Sequence, residues 1–100
     1  MEFEIKNGVL ERYEGEEEYL IIPDNVIVIG KDVFSGCEGL VSVTIPESVI
    51  IIEEGAFASC RDLTDITIPE GLIYIGERAF MDCENLKRIT LPGSIKSIRE

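Results

Sequence analysis

The sequence predicts a right-handed, β-rich solenoid in which each coil adds one short parallel strand to a concave sheet. The first reason is a series of prolines spaced 23 residues apart: Pro23, Pro46, Pro69 and Pro92. The second is a series of phenylalanines with the same spacing: Phe34, Phe57 and Phe80. A unit of 23 residues is too short to bury its own apolar face. Stacking such units turns each apolar position into a continuous internal column.

The first element is a predicted N-terminal β-hairpin. Phe3 and Ile5 alternate with charged residues, Asn7-Gly8 is a hairpin turn signal, and Val9 begins the return strand. We expect residues 1–25 to supply this hairpin, which caps the first coil, together with the first strand of the concave sheet.

Three full repeats follow, at 26–48, 49–71 and 72–94, and residues 95–100 begin a truncated one. Each repeat contains an alternating apolar strand that ends at a proline, because proline offers no donor to a strand ladder. Short helical or 3-10 turns are expected between the strands, with room for a second short strand on the convex side. The whole chain, residues 1–100, is predicted to form a single domain. The unfinished C-terminal repeat suggests either a longer array or an end that a partner covers.

The motif that defines the unit is GAFASCRDLTDITIPEGLIYIG, which starts at Gly55. It resembles the BspA-like leucine-rich repeats of bacteria and some protists, through its Ala-Phe-x-x-Cys and Ile-Pro elements. The resemblance covers residues 20–98. It implies a leucine-rich-repeat solenoid and an adhesion or protein-binding role, often on cell surfaces. It assigns no ligand and no binding residue.

Composition excludes several functional classes. The formal net charge of −11 argues against nucleic acids and anionic membranes as partners, because phosphate binding needs clustered cations. The chain has no histidine, so it has neither the commonest general base nor a Ser-His-Asp set. No phosphate-binding loop and no stretch of about 20 apolar residues occurs. We therefore expect a non-enzymatic protein without cofactor or bound metal, and without membrane insertion.

Three cysteines, Cys37, Cys60 and Cys83, follow the repeat. Buried, reduced thiols that pack as small hydrophobes are the leading interpretation. A disulfide would leave one thiol unpaired and requires a specific geometry. A zinc site would need the three thiolates to converge, which a parallel column does not allow.

The residues between the buried strand positions are the candidate partner-binding set on the concave face. Each strand carries one outward threonine, and a second outward row runs beside the threonines. Threonine also suits a strand surface for purely structural reasons. The candidates are Tyr19, Ser42, Thr44, Asp65, Thr67, Arg88 and Thr90.

A second candidate set consists of apolar pairs on the convex side, where related repeats usually carry polar residues. The pairs belong either to a partly buried second strand or to an exposed patch that marks an interface. The candidates for self-association are Ile27, Val28, Ile50, Ile51, Ile73 and Tyr74.

Function is accordingly expected to be protein–protein interaction or adhesion through the repeat surface, with a protein partner of unknown identity. The alternative is a structural unit that forms a homo-oligomer through the apolar convex face or the uncapped C-terminal end. Glycan binding has little support. The start of the chain lacks a positive region and an apolar run, so it contains no signal peptide and is expected to be cytoplasmic as it stands. The family resemblance instead suggests a cell-surface or secreted parent protein.

Overall fold

The structure, a computed structural model, describes residues 2–90 and 97–98. Two sheets form opposite sides of the coil, and ten strands occur in chain order within the described residues. They are β1 (Glu2–Lys6), β2 (Val9–Glu14), β3 (Tyr19–Ile21), β4 (Val28–Ile29), β5 (Ser42–Thr44), β6 (Ile51–Ile52), β7 (Asp65–Thr67), β8 (Tyr74–Ile75), β9 (Arg88–Thr90) and β10 (Ser97–Ile98). The side chain of Thr90, and the predicted truncated repeat apart from the backbone of 97–98, lie outside what the structure describes.

The first sheet, which we call the front sheet, has the order β3-β5-β7-β9 and is parallel throughout. Its register follows the repeat without a shift, so that Leu20 pairs with Val43 and Val43 with Ile66. Strands β3, β5 and β7 turn their central residues, Leu20, Val43 and Ile66, into the core and their two flanking residues outward, as the period of two requires, whereas the central Ile89 of β9 is 39% exposed. The predicted concave strand of each repeat is confirmed.

The second sheet, the back sheet, has the order β1-β2-β4-β6-β8-β10. It confirms the second short strand of each repeat, which the sequence analysis considered on the convex side. The N-terminal hairpin is confirmed as well: β1 and β2 are antiparallel, and Asn7 and Gly8 form the two-residue turn with φ values of 53° and 82°. The hairpin then joins the parallel array, because Val9 and Leu10 pair with β4.

The segments between the back and front strands are β-turns, and the described residues contain no helix. The predicted helical or 3-10 turns are therefore wrong. In the first two of these segments, alternate N–H groups donate to the next coil, as Phe34 N does to Ala56 O at 2.8 Å, and the N–H groups between them bond within the turn. Positive φ values also recur at fixed repeat positions, for example at Asp32 (56°) and Arg78 (60°). Neither feature is compatible with a continuous right-handed helix.

The interior is one continuous apolar cluster that runs from Leu10 to Ala79, with half-buried residues of the hairpin and of the last coil at its two ends. Aromatic rings mark its length, since Phe34, Phe57 and Phe80 stack with centroids 5.0 and 5.6 Å apart. The row of rings continues with tilted contacts, from Phe34 to Tyr13 at 5.0 Å and from Tyr13 to Phe3 at 5.3 Å. The hairpin thus covers the open end of the first coil with side chains of the same kind as the core.

Candidate protein-binding surfaces

The front sheet presents two outward rows in exact continuation of the sequence repeat. The strand register places Tyr19, Ser42, Asp65 and Arg88 side by side. The second row begins with Ile21 and continues through Thr44 and Thr67 to the backbone of Thr90. All seven residues predicted for the concave face therefore lie on this one sheet. Neighbours within a row are about 4.8 Å apart, the spacing of paired strands.

The chemical character of the front sheet changes along its length. Tyr19 and Ile21 are 71% and 72% exposed, and both belong to β3 at the N-terminal end. The middle of the sheet is polar, with Thr44 and Thr67 exposed. The C-terminal end carries the charged residue Arg88. A partner lying along the sheet would meet an apolar end, a hydroxyl-bearing centre and a charged end.

A shallow depression of about 280 Å³ lies at the C-terminal end of the front sheet. Thr64, Asp65, Lys87 and Arg88 line it. The hydroxyl of Thr64 donates to Val41 O at 3.3 Å, which fixes that side chain against the preceding coil. One carboxylate beside two cations gives the depression a positive balance within a chain of net charge −11.

The back sheet carries the apolar pairs predicted for self-association. Val28, Ile51 and Tyr74 are half-buried and pair across β4, β6 and β8. Ile27 and Ile73 are 44% and 39% exposed, with half-buried Ile50 between them. The row within the strands is therefore half-buried, whereas Ile27 and Ile73, in the row just before the strands, are exposed.

Sequence reasoning missed Val9, which extends the half-buried row because β2 pairs with β4 through Val9 and Val28. The hairpin does not follow the 23-residue spacing, so a search for repeats could not find it. The only available signal was the match between the apolar dipeptides Val9-Leu10 and Val28-Ile29.

The three cysteines are free thiols. Cys60 is buried, and its Sγ–H donates to Phe34 O at 3.0 Å. Cys83 is half-buried and makes the equivalent bond to Phe57 O at 3.0 Å. Burial raises the pKa of Cys60 to about 12 and raises the pKa of Cys37 and of Cys83 above the ordinary value. The cysteines therefore belong to the core rather than to a reactive site.

Within residues 2–90, no group of three or more Cys, Asp or Glu side chains is arranged to hold a metal ion. Nor does the described part of the chain contain a helix long and apolar enough to cross a membrane.

Each repeat has the apolar spacing L-x-x-L-x-L, as in Leu40-x-x-Val43-x-Ile45. This spacing, the parallel front strands and the stacked coils define a leucine-rich-repeat solenoid. Residues 4–100 match, in six copies, the family described as "BspA type Leucine rich repeat region". The chain belongs to this family. No curated protein sequence matches it.

Solved structures of bacterial leucine-rich-repeat proteins share the fold. A leucine-rich repeat protein of T. pallidum (TpLRR) is 30% identical with a TM-score of 0.91, over 99% of this chain and 50% of that one. One from Bacteroides ovatus is 31% identical with a TM-score of 0.77, over 97% and 29%. A leucine-rich cell surface protein from Faecalibacterium prausnitzii is 32% identical with a TM-score of 0.67, over 93% and 32%. The chain spans half or less of each of these proteins.

Proposed function

We propose that the chain is a non-enzymatic protein-binding module and that the front sheet is its recognition surface. The observation that carries this proposal is the pair of outward rows, which the register holds side by side across four strands. Family membership supports it, because repeats of this kind commonly mediate protein interaction or adhesion. Strands β3, β5 and β7 are anchored by buried central residues and are already ordered, so binding to them would cost little backbone entropy.

The size of the front sheet limits how a partner binds. Four strands of three residues cover roughly 15 by 10 Å at ordinary strand spacings. A standard interface buries about 800 Å² on each partner. A partner of that class must therefore reach beyond the sheet onto the loops at the ends of the strands, including the depression beside Lys87 and Arg88.

The proposal is tested by comparing variants of the two sheets. Labelled protein is applied to a protein microarray, and each bound protein is measured again by surface plasmon resonance. The front variant is Thr67→Lys with Arg88→Glu, and the matched control is Ile27→Lys with Ile73→Lys, just before the back strands β4 and β8. All four positions are exposed, so both variants should keep the wild-type circular dichroism spectrum.

The expected result is at least a tenfold loss of affinity in the front variant, about 1.4 kcal/mol, with the back variant unchanged. Wild-type affinity in the front variant would show that the front sheet is not the recognition surface.

We propose self-association through the back sheet as the second candidate function. The exposed fractions of Ile27 and Ile73, which lie on either side of half-buried Ile50, favour it, because exposed apolar patches tend to mark interfaces. Sedimentation velocity over a range of concentrations tests it. A dimer that the Ile27→Lys, Ile73→Lys variant abolishes would support this function, and a monomer at every concentration would contradict it.

The site of action that we propose is the cell surface. One structurally similar protein is described as a leucine-rich cell surface protein, and protein recognition there agrees with the proposed function. Labelling of intact cells of the source organism with an antibody against the domain tests the proposal. Labelling only after permeabilisation would contradict it.

A further inference from the structure

Strand β3 forms an open edge of the front sheet. Backbone groups of Glu18 and Ile22, at the two ends of this strand, are hydrogen-bonded to β5. Ser42 N donates to Glu18 O at 3.0 Å, and Ile22 N donates to Thr44 O at 3.2 Å. Successive residues of a strand turn their N–H and C=O groups to alternate edges. The N–H and C=O groups of Tyr19 and Ile21 therefore face away from β5.

Nothing among the described residues pairs with this edge. The front sheet has no strand beyond β3, and no hydrogen bond of the described residues involves the N–H or C=O of Tyr19 or Ile21 on the side away from β5. The side chains of the same two residues are the most exposed large apolar groups of the described chain. An unpaired strand edge of this kind is a template for one further strand.

The N-terminal hairpin determines which kind of strand can pair with the edge of β3. It adds β1 and β2 to the back sheet beyond β4, so the back sheet continues two strands further than the coil that begins with β3. If β10 of a second copy were stacked against β1, β9 of that copy would remain about three strand spacings, ~14 Å, from β3. A second copy stacked end to end leaves the edge of β3 unpaired, whereas a single extended segment can lie along it.

Charge indicates the composition of that segment. Glu16, Glu17 and Glu18 immediately precede β3 and are all exposed. Basic side chains on an added strand would lie beside these carboxylates, and apolar ones would cover Tyr19 and Ile21. We propose that the open edge of β3 binds an extended segment of a partner protein as an additional strand, with apolar residues at alternate positions and lysine or arginine beside Glu16–Glu18. This goes beyond the proposed function, because the partner binds through backbone groups at the edge of the sheet and not only through the outward side chains.

The test uses the full chain and a fluorescein-labelled, acetylated and amidated peptide, Lys-Lys-Val-Thr-Val-Thr-Val-Lys-Lys, in a fluorescence anisotropy titration at low ionic strength. On the protein side, Ile21→Pro removes an N–H that faces the open edge and no bond of the internal ladder. The triple variant Glu16→Gln, Glu17→Gln, Glu18→Gln removes the charge alone. On the peptide side, N-methylation of alternate residues removes donors at one edge, and a version with glutamate in place of lysine reverses the charge.

We expect saturable binding to the wild type, and about tenfold weaker binding both for Ile21→Pro and for the methylated peptide, since each loses hydrogen bonds. The triple variant should bind more weakly and with less dependence on salt. The methylated peptide keeps the test valid should Ile21→Pro fail to fold. Three results would each overturn the proposal: no binding of the lysine peptide, equal binding of the methylated peptide, or binding that Thr67→Lys abolishes while Ile21→Pro does not.

Discussion

Phe57 shows how the repeat acts on a single side chain. Its ring is fully buried and lies between Phe34 and Phe80, nearly parallel to both, at interplanar angles of 8° and 5°. The centroid distances of 5.0 and 5.6 Å are close to the strand spacing and correspond to offset stacking, which aromatic rings prefer to a direct sandwich. The ring therefore couples three successive coils.

Replacement of Phe57 by alanine should lower the free energy of unfolding by about 3–5 kcal/mol, because it removes apolar contacts and leaves a cavity between coils. Urea denaturation followed by circular dichroism measures the change. Phe80→Ala is the matched control, with a smaller expected loss because Phe80 is only half-buried. A loss below about 1 kcal/mol for Phe57→Ala would contradict the stacked core.

Cys60 should be the least reactive of the three thiols. Its pKa of about 12 results mainly from burial, which favours the neutral thiol. Mass spectrometry after treatment of the native protein with iodoacetamide at about pH 8, near the ordinary thiol pKa, should find Cys60 unmodified. All three cysteines should react in denaturant. Alkylation of native Cys60 at the rate of the denatured chain would contradict the described burial.

The same raised pKa predicts a dependence of stability on pH. The folded protein holds the Cys60 proton more tightly than the unfolded chain, so this contribution is fully present below the ordinary pKa of 9.0. It is lost as the pH rises toward about 12. The free energy of unfolding, measured across this pH range, should fall less steeply with pH in Cys60→Ala than in the wild type. Equal slopes in the two proteins would show that the Cys60 thiol does not contribute to the pH dependence.

At the scale of elements, the strands could be predicted and the turns could not. The apolar period of two and the terminal prolines specify where each front strand begins and ends. The turns depend on hydrogen bonds between coils, such as the one from Ser59 N to Met81 O at 2.7 Å. Such bonds have no signature within a single repeat, and left-handed φ values fall on ordinary residues such as Arg78.

Gly76 tests how closely the coils approach. A Cβ added there would lie 2.6 Å from Glu54 N and 2.8 Å from the carbonyl carbon of Glu53, both backbone atoms of the preceding coil. Gly76→Ala should therefore destabilise the protein by about 1–3 kcal/mol in thermal or urea unfolding.

Gly71 is the matched control for this substitution. An added Cβ at Gly71 would meet only Glu47 O, at an ordinary distance of 3.6 Å, so Gly71→Ala should change stability by less than about 0.5 kcal/mol. Equal effects of the two substitutions would contradict the described contact between coils.

At the scale of the whole molecule, the hairpin closes the array. It places Leu10 on Ile29 and Tyr13 on Phe34, and without it the first coil would expose its apolar interior. Deletion of residues 2–14 should abolish the cooperative thermal transition and increase the fluorescence of a hydrophobic dye. Arg12→Ala, at an exposed position of the same hairpin, is the control and should unfold as the wild type does. Retention of the wild-type transition after the deletion would show that the hairpin is dispensable.

The candidate site could be predicted only in part. The repeat was sufficient to place Ser42, Asp65 and Arg88 in one row, because a constant spacing becomes a constant register. The open edge of β3 could not be predicted, because it depends on the hairpin joining the back sheet rather than the front sheet. The hairpin joins the back sheet through the pairing of Val9 with Val28. These two residues are not separated by the repeat length, so the repeat does not predict that they pair.

The most direct test of the proposed recognition surface is a methyl NMR titration of the isoleucine- and threonine-labelled protein with a partner identified on the microarray. Both sides of the coil carry reporters: Ile21, Thr44 and Thr67 on the front sheet, and Ile27, Ile50 and Ile73 just before the back strands. We predict that the front methyl signals shift or broaden while the back signals keep their positions. Changes confined to the methyl groups of Ile27, Ile50 and Ile73 would contradict the assignment of recognition to the front sheet.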